Sequence, residues 1–263
     1  MTDQQRIDRI ARHLHDAHAR RARYENLSGD NALTSIEEAY RVQIALNKLW
    51  EGGPKGAIVG YKIALTSQAI RDLVGVDDPC GGAIFASAVH QSPATLQLSD
   101  YVRLGLEFEL AFRMGKDVPA DAEYDAESIA PFVDAAMPAF EMIEDRDADY
   151  SSLDAATLVA DNAWSGGMVL GTPSTAWRGL DLATTPVSLS LNGETEVAVT
   201  GAAMGNPLTS LAYLATLLAA QGRSLKAGDV VMSGSTLATR FAKAGDHAIY
   251  SVEGLGSVEM RVA

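Results

Sequence analysis

Ile7, Ile10, Leu14 and Ala17 recur three and four residues apart, with arginines and histidines between them, which predicts an amphipathic helix. A polar break at Asn26-Leu27-Ser28-Gly29-Asp30 follows. Ser35 and Glu38 have the spacing of a capping box, in which hydroxyl and carboxylate each satisfy the other's backbone N–H. The helix they predict carries Ala39, Val42, Leu46, Leu49 and Trp50 and stops at Gly52-Gly53. Residues 1–53 thus read as a helical appendage to a larger body over 54–263.

From there the pattern changes to short apolar runs punctuated by Gly and Pro. Strands are predicted over Ala57–Leu65, Ala83–Val89 and Val102–Met114, and near Val230–Ser233, Ala248–Val252 and Ser257–Val262. Leu189–Leu191 and Val197–Val199 flank Asn192-Gly193, the pair that favours the two positive φ angles of a type I′ hairpin turn. Asn206 and Pro207 mark the start of a helix ending near Gln221-Gly222. Irregularly interspersed helices among mostly antiparallel strands indicate an α+β fold. Pro119–Ala126 reads as an exposed loop.

Composition narrows the function classes. With 21 Lys+Arg against 34 Asp+Glu the net charge is −13, which disfavours a phosphate backbone as partner. Apolar residues make up 47% of the chain, enough for a large core. A single cysteine, Cys80, rules out an internal disulfide framework. The polar opening and the lack of a long apolar segment predict a soluble, cytoplasmic protein with no membrane partner and a small-molecule ligand.

The chemistry concentrates in Val102–Phe112. Alternation puts Leu104, Leu106, Phe108, Leu110 and Phe112 on one face and Glu107 and Glu109 on the other, their Cβ atoms roughly 6–7 Å apart. Such a pair fits either a hard divalent cation or an ordinary solvated face. Glu141, flanked by apolar residues in Met137–Arg146, is a third acid that needs a partner if buried. Arg146 is available as a structural ion-pair partner for a nearby acid.

These segments, with Gly60-Tyr61-Lys62-Ile63-Ala64-Leu65-Thr66-Ser67, Ala160-Asp161-Asn162-Ala163, the run Leu225–Ser235 and Gly254–Val258, resemble the fumarylacetoacetate hydrolase superfamily. Within it the match is to the 2-hydroxypenta-2,4-dienoate (2-keto-4-pentenoate) hydratases and 4-oxalocrotonate decarboxylases. The resemblance implies a mixed β-roll with an N-terminal helical arm, and Mg²⁺ or Mn²⁺ held by Glu107, Glu109 and Glu141. It implies catalytic roles for Lys62 and Asp78, substrate contacts from Leu65, Trp164 and Ser235, and a homo-oligomer, with a pathway enzyme as a further partner. The implied reaction is a lyase reaction on a 2-oxo or 2-hydroxydienoic acid, foremost hydration to 4-hydroxy-2-oxopentanoate in aromatic breakdown. Decarboxylation, acylpyruvate C–C hydrolysis and a weakly active 2-oxo-acid-binding subunit are the rival readings.

Two positions depart from the family pattern. Cys80 stands where the hydratases carry an acid, leaving Asp78, two residues earlier, as its substitute. Trp164 follows Ala163 where a serine is usual, and either fills space or stacks on substrate. Cys80 otherwise reads as an inert or substrate-lining thiol, His15 and His18 as surface residues, and Arg240 as a local positive charge for an anionic substrate. Ser235 also fits a plain turn.

Overall fold

The computed structural model describes residues 2–263. The chain opens with α1 (Asp3–Ala19) and α2 (Ile36–Glu51), which bury Ile7, Ile10, Leu14, Ala39, Val42, Leu46 and Trp50 as their periodicity requires. Leu49 is exposed instead, because the buried stripe runs through Gln43 and Asn47. Only half of the expected capping box forms. Ser35 accepts from Glu38 N–H, but the Glu38 carboxylate accepts from Thr34 and pairs with Arg6 of α1. A cross-helix cation outcompetes the local backbone group.

The body contains β1 (Ile58–Ala64), α3 (Gln68–Val74), β2 (Cys80–Phe85), β3 (Val89–Gln91), β4 (Ala94–Leu96), β5 (Leu104–Met114), α4 (Ala126–Ile129) and β6 (Val133–Glu144). It continues through α5 (Ala155–Ala160), β7 (Ser165–Leu170), β8 (Pro186–Leu191), β9 (Glu194–Val199) and α6 (Pro207–Ala220). It closes with β10 (Val230–Met232), β11 (Arg240–Phe241), β12 (His247–Val252) and β13 (Gly256–Val262). The strand expected over Ala83–Val89 is split: β2 starts at Cys80 and ends at Phe85, and a short turn over Ala86–Ala88 precedes β3.

Two sheets result, with orders β2-β1-β10-β5-β6-β7-β3 and β4-β13-β12-β8-β9, and β11 also pairs with β5. Pairing is antiparallel except for β1–β10, β3–β7 and β4–β13. The β8–β9 hairpin turns at Asn192 (φ 54°) and Gly193 (φ 92°), both left-handed as a type I′ turn requires. Residues 119–123 are exposed, as their composition predicts.

The larger sheet curls on itself. Asn162, just before β7, exchanges two hydrogen bonds with the backbone of Ala83 in β2, the strand at the opposite side of the sheet (2.8 Å each). Its outer face packs on the second sheet, with Phe108 against Phe140 and Tyr250 at 5.9 and 6.1 Å between centroids. One continuous apolar core runs from the α1–α2 pair through this layer. The inner face holds a small separate cluster that includes Ile84, Ala111, Met137, Ala139, Met168 and Met232. Gln43 of α2 donates to Gly81 and Val159 carbonyls and so seats the helical arm on β2 and α5.

Candidate metal centre and active site

Register decides which side chains share the inner face. Glu107 pairs directly with Glu141, Lys62 with Met232 and Gly82, and Met232 with Ala111. Directly paired residues point the same way. Glu107, Glu109, Glu141 and Lys62 therefore converge at one end of the inner face, beside the methionine-rich cluster. One carboxylate oxygen from each glutamate lies within 4.8 Å of the others. Glu109 and Glu141 are fully buried, whereas Glu107 is partly exposed.

Their hydrogen bonds are incomplete. Gly234 N–H donates to Glu109 Oε2 at 2.8 Å and Thr239 Oγ1 to Glu107 Oε1 at 2.7 Å. Lys62 Nζ lies 2.7 Å from Glu141 Oε1, an ion pair by distance that is not aligned as a hydrogen bond. Glu109 Oε1 and Glu141 Oε2 have no hydrogen-bond partner among the described residues. A buried carboxylate oxygen without a partner costs several kcal/mol by order of magnitude, so an arrangement that leaves two of them is incomplete as it stands. All-oxygen, carboxylate-rich donors open on one side fit a hard divalent cation.

The electrostatics agree. Burial, Glu141 and Glu107 together hold the Glu109 carboxyl well above the ordinary range. Burial pushes Glu141 up to about 7, against the lowering effect of Lys62. Burial works against the Lys62 ammonium, but Glu141 and Glu107 outweigh it and its pKa ends above the usual lysine value. Lys62 is thus held as a cation. The raised carboxyls mark a site where ionised glutamates lack compensating charge, which a divalent ion would supply.

The remaining predicted residues divide into two groups. Leu65 and Asp78 line a cleft of about 720 Å³ together with Cys80, and none of Lys62, Glu107, Glu109 and Glu141 lines it. Burial raises the Cys80 thiol to about 12, so it is inert at neutral pH. Trp164 and Ser235 are not among the residues lining that cleft. The Trp164 indole fills the core between Tyr24 and Tyr150, at 5.2 and 5.5 Å between centroids. Ser235 Oγ accepts from Phe108 N–H and donates to Leu237 O, which ties the chain after β10 to β5. Arg240 pairs with Glu196 and shares the face of Leu106, not of Glu107.

Asp161 and Arg146 form a structural ion pair, completed by His18 Nε2 at 2.6 Å from Asp161 Oδ1. Burial pushes Asp161 up, but His18 and Arg146 more than offset it, and its pKa is lowered. Neither the Asp161–His18 contact nor the help given by Gly234 and Thr239 to the glutamates has a local sequence signal.

Comparisons with known proteins give the family. Residues 76–263 match the family described as fumarylacetoacetate (FAA) hydrolase C-terminal. The chain is 33% identical over 225 residues to a 2-keto-4-pentenoate hydratase of Paraburkholderia xenovorans, covering 85% of this chain and 82% of that protein. It is 29% identical over 264 residues to the 2-hydroxyhexa-2,4-dienoate hydratase of Comamonas testosteroni, covering 99% of each. Among solved structures it is similar to 4-oxalocrotonate decarboxylase from Pseudomonas putida G7 complexed with magnesium and adipate, with a TM-score of 0.89 and 27% identity over 100% of this chain and 99% of that one. Fumarylpyruvate hydrolase from Pseudomonas aeruginosa shares the fold at a TM-score of 0.57 and 17% identity, covering 77% and 88%. Four inward-facing site residues, an incomplete carboxylate cluster and a family match over residues 76–263 carry one conclusion: the chain belongs to the fumarylacetoacetate hydrolase family.

Proposed function

We propose that the protein is a divalent-metal-dependent hydro-lyase that hydrates 2-hydroxypenta-2,4-dienoate, or a close homologue, to the 4-hydroxy-2-oxo acid. The observation that carries this reading is the inward-facing set Glu107, Glu109, Glu141 and Lys62, with two carboxylate oxygens unpartnered, in a chain whose curated relatives are named hydratases. The three glutamates would hold Mg²⁺ or Mn²⁺, and the neighbour solved with magnesium supports that choice. Such an ion supplies a Lewis acid for the carboxylate and adjacent oxygen of a 2-oxo acid.

The chain's own residues account for the rest. Lys62 keeps a fixed positive charge beside the position where the enolic oxygen gathers negative charge. Asp78, exposed and lining the cleft, would be the carboxylate that exchanges a proton with water as it adds to the far carbon of the conjugated ketone. Cys80, buried and protonated, takes no part in proton transfer.

Cytoplasmic location and self-association belong to the same reading. No helix among the described residues is long and apolar enough to cross a membrane, and Val197 on the edge strand β9 is exposed. Light scattering measures the assembly. The deciding experiment supplies freshly generated 2-hydroxypenta-2,4-dienoate with Mg²⁺ and reads products by NMR. Formation of 4-hydroxy-2-oxopentanoate, lost in Glu107→Ala, supports hydration; release of CO₂ from 4-oxalocrotonate without hydration would move the assignment to decarboxylation.

A further inference from the structure

Each glutamate of the cluster has one oxygen already engaged by the protein. Glu109 Oε2 accepts from Gly234 N–H, Glu107 Oε1 accepts from Thr239 Oγ1, and Glu141 Oε1 lies against Lys62 Nζ. Among the described residues Glu107 Oε2, Glu109 Oε1 and Glu141 Oε2 accept no hydrogen bond. The Thr239 contact is built into the sheet. β11 pairs Arg240 with Leu106 and Phe241 with Gly105, and one further step in that antiparallel register sets Thr239 opposite Glu107, on the flank away from Glu141. Opposed residues share a face, so the hydroxyl meets the carboxylate from the neighbouring strand position. The loop before it is tied down. Thr236 N–H and Oγ1 both donate to Phe108 O, and Ser235 Oγ accepts from Phe108 N–H. A Cβ on Gly105 would meet Thr239 Cγ2 at 3.3 Å, so the methyl is packed as well, which restricts χ1 of this β-branched side chain. Of the three engaged oxygens, only that of Glu107 is held by a neutral side chain, whose hydroxyl can be removed without altering charge or backbone.

Resting on the divalent-metal reading above, we infer that Thr239 is a positioning residue for that ion. Its hydroxyl reserves one oxygen of Glu107, so the centre offers one oxygen per glutamate and selects a small six-coordinate cation, Mg²⁺ or Mn²⁺, over Ca²⁺. Ca²⁺ takes about six to eight oxygens and readily uses both oxygens of a carboxylate, whereas the smaller ions hold to an octahedron. A carboxylate with one oxygen held by a hydroxyl gives both to a metal only by breaking that bond. Three single oxygens leave about three positions of an octahedral ion for water and substrate. Thr239 touches none of the reacting atoms and acts through Glu107.

The test is calorimetric titration of the full-length protein with Mn²⁺ and with Ca²⁺, joined to a count of Mn²⁺-bound water by pulsed EPR in isotopically labelled water. Wild type is expected to keep about three waters on Mn²⁺. Thr239→Val keeps the side chain's shape and removes its hydroxyl. It is expected to weaken Mn²⁺ binding about tenfold, the usual cost of losing a group that orients a metal ligand. Its preference for Mn²⁺ over Ca²⁺ is expected to narrow about threefold or more, and its water count to fall to about two as Glu107 turns both oxygens to the ion. Thr239→Ser restores the hydroxyl and is expected to return all three readings towards wild type. An unchanged preference and water count in Thr239→Val overturns the inference, and so does failure of Thr239→Ser to restore them. An equal loss for both ions at a constant water count overturns it too, and marks Thr239 as a support of the fold alone. A wild-type count of about two or fewer also overturns it, and that measurement needs no variant to fold. Failure of the wild type to bind Mn²⁺ sinks the metal reading and the inference with it.

Discussion

Lys62 and Glu141 touch across the interior of the rolled sheet, Nζ to Oε1 at 2.7 Å, although β10 and β5 lie between their strands. On a flat sheet three strand spacings are about 14 Å, beyond what the two side chains span comfortably, so the contact depends on the curl. The same curl brings Glu107 and Glu109 within reach of Glu141.

Lys62→Met removes the cation that faces the three glutamates. Activity is expected to fall about 100-fold or more, the usual cost of losing a charge that faces a developing oxyanion. Equilibrium titration with Mn²⁺ should show metal binding retained, and activity retained in the variant would remove Lys62 from the reaction.

Glu109→Gln is expected to abolish tight metal binding, because it removes a carboxylate donor from the buried cluster. Chelation should lower the melting temperature of the wild type and leave the variant unmoved, measured by differential scanning calorimetry.

Metal-free wild-type protein should also lose stability as pH rises. Glu141 takes up its proton at about 7 when folded and at the ordinary 4.5 when unfolded, so between those values the native state binds more protons. Stability is therefore highest below about 4.5 from this group and declines towards pH 7, with Glu109 acting in the same direction. Urea titrations at pH 5, 6 and 7 measure the slope, and Glu141→Gln should flatten it.

The elements with regular periodicity were legible: both arm helices, the β5 alternation and the Asn-Gly hairpin all follow from local pattern. So was the common face of Glu107 and Glu109, whereas Glu141 joined them as a metal-ligand set only through the family resemblance. What stayed hidden is held by distant partners. α3 and α5 are only seven and six residues long, too short to display a helical period. Asn162, Ala163 and Trp164 form three consecutive left-handed residues (φ 56°, 49° and 56°), each disfavoured by about 1–2 kcal/mol locally. The tertiary exchange between Asn162 and Ala83 offsets that, and nothing in the segment itself announces it. Trp164 read as either space-filling or a substrate contact, because its core neighbours Tyr24 and Tyr150 are remote or unmarked in sequence.

Gly82→Ala tests that closure. A Cβ there would sit 2.5 Å from Asn162 O, forcing β2 away from the turn that closes the roll. A loss of about 1–3 kcal/mol in chemical denaturation is expected, together with weakened metal binding as Lys62 shifts.

Arg146→Leu leaves Asp161 buried with only His18 beside it. A loss of about 3–5 kcal/mol, or roughly 6 °C or more in melting temperature, is expected at unchanged metal affinity. A silent substitution would show that His18 alone compensates Asp161.

The position of β10 carries a consequence for how the enzyme comes into being. Residues 230–232 wedge between β1 and β5, whose own segments end at Ala64 and Met114. A chain emerging from the ribosome exposes Lys62, Glu107, Glu109 and Glu141 early, yet the central strand that sets the spacing of β1 and β5 is among the last to appear. Gly234, which donates to Glu109, follows it directly. The acidic trio therefore waits as unassembled carboxylates through most of synthesis, and the centre takes its final shape only near chain release.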